Sequence, residues 1–407
     1  MGVKGSPARS AFPSGSEDVV MAMIPRHRIE IEFSSFVNAL LFSREEKIDA
    51  FRHELERYFG RKIIFFQSAR GAFYYLLKAL PQKTIVLPGY TCKVIPEAGL
   101  LAGKEIVYVD IDLRTFNVDV KDLKRKVCPQ SVIVATHQFG IPCDVEEMAD
   151  LAGRSDSVLI EDCAGAFGSR WKDQLVGTFG LAAIFSFEFT KVLSAGWGGF
   201  LLFNDEALRE QVRDLSEKEL ARPRKRFVAR ILLNVFLHKV ITGPFLYPVF
   251  IRYFYRRYGF SMDRGEIAPV KGELHTSRLS PVEAALGLSN FNRVQGIVER
   301  RQEIARRYLS DLSGADGLGL PLLDPRCFPS LMRFPVRVLN QSKKTFYEGC
   351  LREGLDLGFS FNYSCTEACP NATLAAQQVV NLPLNSHLTE GEIDRIIHIA
   401  KRVSSSK

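Results

Sequence analysis

Residues 60–205 predict an α/β fold: a large domain built on a mostly parallel sheet, followed by a smaller C-terminal α+β domain. Short apolar runs at 63–66, 85–87, 106–109, 132–135, 158–160, 182–185 and 199–203 alternate with stretches that read as helices. That alternation is the pattern of parallel strands joined by crossover helices. Several runs are continuously apolar, as strands buried on both faces are. The chain has 407 residues, 46% of them hydrophobic and 25% charged, enough to bury one large core with a smaller one attached. The expected division is a flexible tail at 1–30, a large domain at 31–312 and a small domain at 313–407.

Taken in order, residues 1–18 are rich in Gly, Ser and Pro and lack apolar periodicity, which reads as tail. Met1-Gly2 with Ser6 also fits the weak pattern for N-myristoylation. Ile48, Phe51, Leu55 and Phe59 recur at three- and four-residue spacing and predict an amphipathic helix. The strand at 63–66 then turns at 67–72 into a second helix. Ala69 and Arg70 stand at that helix N-terminus. Residues 84–112 form a βαβ pattern with Cys92 after the first strand, and the strand at 132–136 runs into His137. Two further strands end in Asp162 and Ser186, and Lys191 follows five residues later with glycines behind it. A strand at 199–203 closes the set. Beyond an unusual stretch at 221–260, a single long amphipathic helix is expected over 281–312, then strands near 331–336 and 379–384 and a last helix.

The order Asp162, Ser186, Lys191 makes chemical sense as a pyridoxal 5'-phosphate site. Lys191 would hold the cofactor aldehyde as a Schiff base, Asp162 would keep the pyridine nitrogen protonated, and Ser186 would hydrogen-bond the phosphate. Each residue alone has a blander reading, a strand-end cap or a solvated amine; the combination favours the site.

The stretch LIEDCAGAFGS followed by FSFEFTKVLSAGWGG resembles the DegT/DnrJ/EryC1/StrS family of sugar aminotransferases. Residues 84–112, the turn at His137, residues 277–287 and the ending at 379–392 match the family in order, so that the resemblance covers roughly 40–220 and 272–403. It implies a fold type I pyridoxal-phosphate transferase with Lys191 and Asp162 catalytic, Ser186, Ala69, Arg70, Cys92, Gly165 and His137 around the cofactor, and no metal. It also implies a homodimer. Three positions depart from the family. Cys92 replaces the aromatic residue that stacks on the cofactor ring, so that either Tyr90 reaches the ring or the stacking is weaker; Gly165 replaces a Gln or His at the phenolic oxygen; Thr276 replaces the Asn that reaches the neighbouring subunit's cofactor.

Net charge is +8, but no nucleic-acid motif accompanies it. Most of the surplus lies in 221–260, which carries nine Lys/Arg and no acid among aromatic and aliphatic residues. Its apolar runs are too short to span a bilayer, which leaves a membrane-interface segment or an insertion packed on the protein itself. The eight cysteines read as free thiols of a reducing compartment, hence a cytoplasmic protein, with peripheral contact to the inner face of a membrane if the segment is interfacial. The CxxxC at Cys365 and Cys369 lacks a second ligand pair for zinc.

The resemblance implies amino transfer from an amino acid, glutamate by family habit, to a keto sugar, in amino-sugar or surface polysaccharide biosynthesis. A nucleotide would carry that sugar. Two alternatives remain on the same fold. One is a sugar dehydratase, whose branch carries His in place of the lysine; the other is a membrane-associated, non-catalytic or sensor protein.

Overall fold

The computed structural model describes residues 23–243, 245–258 and 277–405. Helices α1 (Phe33–Phe42) and α2 (Glu46–Phe59) come first. α2 buries Phe51, Leu55 and Phe59 and stops at Gly60, whose φ of 64° is left-handed. Strand and helix then alternate through β1 (Lys62–Phe66), α3 (Ala69–Ala79), β2 (Thr84–Pro88), α4 (Val94–Leu101), β3 (Glu105–Val109), α5 (Val120–Lys126), β4 (Val132–Thr136), α6 (Val145–Arg154) and β5 (Val158–Asp162). A short hairpin, β6 (Arg170–Trp171) and β7 (Gln174–Leu175), precedes β8 (Ala182–Ser186) and β9 (Gly199–Phe203).

The seven long strands form one sheet in the order β1-β9-β8-β5-β4-β2-β3. All pairs from β8 to β3 are parallel, and β9 runs antiparallel between β1 and β8. The C-terminal ends of β1, β2, β4, β5 and β8 therefore open on one edge, where α/β sheets place their ligands.

After α7 (Glu206–Glu219), the stretch that begins at 221 folds into α8 (Lys225–Ile241) and α9 (Leu246–Tyr258). α8 buries Val228, Ile231, Leu232 and Val235 in a cluster with Ile29, Ile31, Ala39 and Leu286. α9 buries Tyr247 and Ile251 in the C-terminal core, with the Tyr247 hydroxyl donating to Asp356. Packing on the protein is thus met on the inner faces of both helices.

The single helix expected over 281–312 is two, α10 (Pro281–Phe291) and α11 (Val294–Asp311). Asn290, in the last turn of α10, is held from outside the helix: its side-chain oxygen accepts from the Ser194 amide at 2.8 Å and its amide group donates to the Glu30 carbonyl at 3.4 Å. β10 (Leu318–Gly319), β11 (Cys327–Phe328), β12 (Phe334–Val338), α12 (Lys343–Arg352), α13 (Pro370–Gln378), β13 (Val379–Leu382) and α14 (Glu390–Ser405) complete the chain. β10, β12 and β13 form a second sheet, whereas β11 returns to pair with β6.

Another correction concerns the expected tail. Residues 1–22, with the myristoylation pattern, lie outside the described residues, but Met23, Ile24, Ile29, Glu30 and Ile31 are buried. Arg26 pairs with Asp356 at 2.6 Å, and Glu30 pairs with Arg301 at 2.7 Å with both side chains wholly shielded. Unpaired, each buried charge would be strongly destabilising, so these pairs tie the segment down.

Candidate active site

β5 delivers Asp162 to the open edge, 5% exposed, with one carboxylate oxygen accepting from the Ala164 amide at 3.0 Å. Burial pushes this carboxyl above its usual range, while the Ala164 amide and the Lys191 cation pull it back. β8 ends one strand away in Ser186, whose hydroxyl accepts weakly from the Glu188 amide at 3.4 Å.

Lys191 sits on a loop closed on itself by backbone hydrogen bonds, Phe187 N to Gly198 O and Ala195 N to Phe187 O. Gly196 and Gly198 take φ of 83° and 106° there, angles closed to most side chains. The Lys191 amide donates to the Glu188 carbonyl at 2.9 Å, and its Nζ lies 3.3 Å from the Met332 sulfur. Met332 also fronts Gly165, where an added Cβ would stand 3.5 Å from that sulfur. Ser186 pairs with Gly199, and a Cβ at 199 would lie 3.0 Å from the Ala69 Cα. The lack of a side chain at 199 is what lets the α3 N-terminus, capped by Ser68 accepting from Gly71 at 3.0 Å, come up beside Ser186.

Asp162, Lys191 and Cys92 are within electrostatic reach of one another, and burial raises the Cys92 thiol. Three expectations are adjusted. Arg70 turns its guanidinium to Glu97 at 3.5 Å, so its charge is engaged by α4 rather than offered at the helix N-terminus. His137 is wholly buried; its Nε2 meets Glu161 at 3.1 Å and its Nδ1 accepts from the Cys143 amide at 3.2 Å, which makes it a prop of the β4 and β5 ends instead of a cofactor contact. Tyr90 does not substitute for the missing aromatic residue, since its ring is buried edge-on against Phe139 and Phe361. Thr276 lies outside the described residues.

His137, Glu161 and Cys163 bring ligand-type atoms within 4.8 Å of one another. Glu161 is already saturated, by the Gly177 amide and the His137 imidazole on one oxygen and by the Phe179 and Gly180 amides on the other. The trio is accounted for by hydrogen bonding.

Sequence reasoning missed Met332, Tyr363 and Thr136. Tyr363 accepts from the Lys93 amide at 2.9 Å beside Cys92, and Thr136 is the strand partner of Asp162. No local pattern marks the first two, because they reach the edge from distant parts of the chain. The buried hydroxyls of Thr91 and Thr136 have no protein partner. Buried polar groups are normally satisfied, so two orphans beside Asp162 and Cys92 suit a polar group bound there. A pyridoxal phosphate fits these residues: an amine to hold its aldehyde, a buried carboxyl for its nitrogen, and a helix N-terminus with Ser186 for its phosphate.

The family model described as DegT/DnrJ/EryC1/StrS aminotransferase family matches residues 28–401. GDP-perosamine synthase of Escherichia coli O157:H7 is 27% identical over 230 residues, 56% of this chain and 52% of that protein. The spore coat polysaccharide biosynthesis protein SpsC of Bacillus subtilis is 27% identical over 286 residues, 69% of this chain and 65% of its own length. The chain thus spans between half and two thirds of these two relatives. Among solved structures, the sugar aminotransferase CalS13 of Micromonospora echinospora superposes with a TM-score of 0.73 at 21% identity, covering 93% of this chain and 100% of that one.

Proposed function

Because the chain belongs to the DegT/DnrJ/EryC1/StrS aminotransferase family and is a pyridoxal-phosphate-dependent enzyme of it, we propose that it moves an amino group from glutamate to a keto sugar carried on a nucleotide. The observation that carries this reading is the placement of the Lys191 amine within electrostatic reach of the buried Asp162 carboxyl at one sheet edge. The relatives' names, one a GDP-sugar synthase and one a polysaccharide biosynthesis protein, support a nucleotide sugar and a role in amino-sugar or surface polysaccharide synthesis. A cytoplasmic location is part of the same proposal.

When bound, the cofactor supplies an electron sink for the bond-breaking at carbon. The chain's own residues do the rest. Asp162, shielded from water, holds a negative charge under that sink and costs no reorganisation as charge develops. Lys191 Nζ would take the proton from the donor's α-carbon and deliver one to the sugar carbon that receives the nitrogen. Met332 packs against the amine and narrows its reach. Gly165 leaves open the volume that a larger side chain would fill.

Lys191 itself argues against the dehydratase reading, which needs His there. A non-catalytic protein would keep the fold and the cofactor without turnover. Glutamate with a panel of nucleotide keto sugars separates the two: amino sugar should form with at least one of them, and the cofactor's visible absorbance should fall when glutamate is added. Lys191→Ala should abolish both signals while the circular dichroism stays unchanged. Turnover near the wild-type rate in that variant would remove Lys191 from the chemistry.

A further inference from the structure

Helix α8 is apolar on two sides. Opposite its buried stripe, Leu233, Phe236, Leu237 and Val240 recur at three- and four-residue spacing and are exposed. α9 repeats the arrangement with Leu246, Val249, Phe250 and Tyr253, of which Val249 and Tyr253 are 65% and 66% exposed. Phe245, between the helices, is 86% exposed. α1 adds Phe33, Leu40, Leu41 and Phe42, and ring contacts of Phe33 and Phe36 with Phe236 at 6.4 and 5.9 Å join it to α8. A contiguous apolar patch of this kind on a water-soluble protein marks an interaction site.

The border of the patch says what it meets. Arg222, Arg224, Lys225, Arg226 and Arg230 are exposed at the N-terminal end of α8, and 221–260 holds no acid. Glu32, at the start of α1, is paired with Arg293 at 2.8 Å. We propose that the outer face of α1, α8 and α9 docks on an anionic lipid bilayer, with the helices lying in its interface. Lysines and arginines draw such a face to anionic headgroups, and the apolar stripes then enter the acyl boundary. No described helix is long and apolar enough to cross a membrane, so the contact is peripheral. The uncompensated positive charge at the edge of the apolar stripe is complementary to anionic headgroups, which is what favours a lipid surface as the occupant.

The inner face of α8 covers the loop that carries Lys191. A Cβ at Gly196 would stand 3.1 Å from Val235 and 3.3 Å from Ile231, and Phe189 and Trp197 pack in the same cluster. Docking therefore sets the lysine loop directly beneath the lipid-facing helix. The inference goes beyond the proposed amino transfer and stands or falls without it.

The test is sedimentation of the purified full chain with vesicles of phosphatidylglycerol and phosphatidylcholine, against phosphatidylcholine alone. The chain should pellet with the anionic vesicles only, and recovery should fall between about 0.1 and 0.5 M salt as the screening length shortens. Replacing Arg224, Lys225 and Arg226 with Glu should weaken binding at least about tenfold. Leu233→Ser with Phe236→Ser and Leu237→Ser should weaken it as well; the lost Phe236 contacts with Phe33 and Phe36 lower the melting temperature, while circular dichroism at assay temperature should show the fold kept. Equal recovery from both vesicle types, or none from either, overturns the proposal. So does a shift of the triple serine variant to a smaller species in sedimentation without lipid, which would mean that a second copy covers the face. No substrate enters the assay, so its failure leaves amino transfer untouched.

Discussion

At Asp162 two forces oppose each other. Burial favours the neutral acid, whereas the Ala164 amide and the Lys191 cation favour the carboxylate. A cationic ring nitrogen bound beside it would add to the second group, and that is the state the chemistry uses. Asp162→Asn keeps the shape and removes the charge. We expect the turnover rate to fall by several hundredfold, a loss of about 3–4 kcal/mol of transition-state stabilisation, with the melting temperature little changed. An unaltered rate under saturating substrates would take Asp162 out of the site. The residues that sequence reasoning misjudged, Arg70 and His137, share one cause: their partners, Glu97 and Glu161, sit on other elements. Residue type identified a charge or an imidazole, and only packing decided where it was spent.

At the scale of an element, the start of α10 illustrates a cap with a cost. Ser280 and Glu283 form a capping box, with the Ser280 amide donating to Glu283 at 2.9 Å and the Glu283 amide donating to the Ser280 hydroxyl at 3.2 Å. Glu283 is wholly buried and its second oxygen has no partner. Burial raises its carboxyl to about 7, against the hydrogen bonds from Ser280 and Gln67. The folded state therefore holds the proton more tightly than the unfolded chain. This contribution to stability is complete below the ordinary glutamate range and is lost as pH rises through about 7, an amount on the order of 3 kcal/mol. Glu283→Gln can accept the same bond from Ser280 but cannot ionise. Relative to wild type, the variant should gain stability between pH 5 and pH 8 in urea denaturation. A variant that loses ground over that interval would show that the carboxylate is well solvated after all.

Across the whole molecule, the N-terminal segment acts as a strap. Glu30 neutralises Arg301, which in turn donates to the Leu331 carbonyl at 3.1 Å and the Met332 carbonyl at 2.6 Å, and Met332 meets Lys191. A residue expected in a flexible tail thus supports the amine at the centre of the site. The homodimer expected from the family resemblance also belongs at this scale, and remains a proposal. Sedimentation velocity of the purified chain should show a dimer as the active species. A monomer with full activity would rule out a site completed across subunits.

The sequence by itself determined the sheet and its open edge, because strand and crossover helix alternate at short range. Local pattern also put Asp162 and Ser186 at strand ends on that edge, with Lys191 on the loop that follows; their roles toward a cofactor are proposals. The break in the helix read as continuous over 281–312 was not legible, because Asn290 in the last turn of α10 is held by Ser194 and Glu30, residues remote in sequence. The inward turn of His137, the role of Met332 and the burial of 23–31 were decided in the same way. The tertiary structure alone also divided the basic insertion into a face that packs and a face that does not. Composition records how apolar a segment is, while burial depends on what the rest of the chain brings against each side.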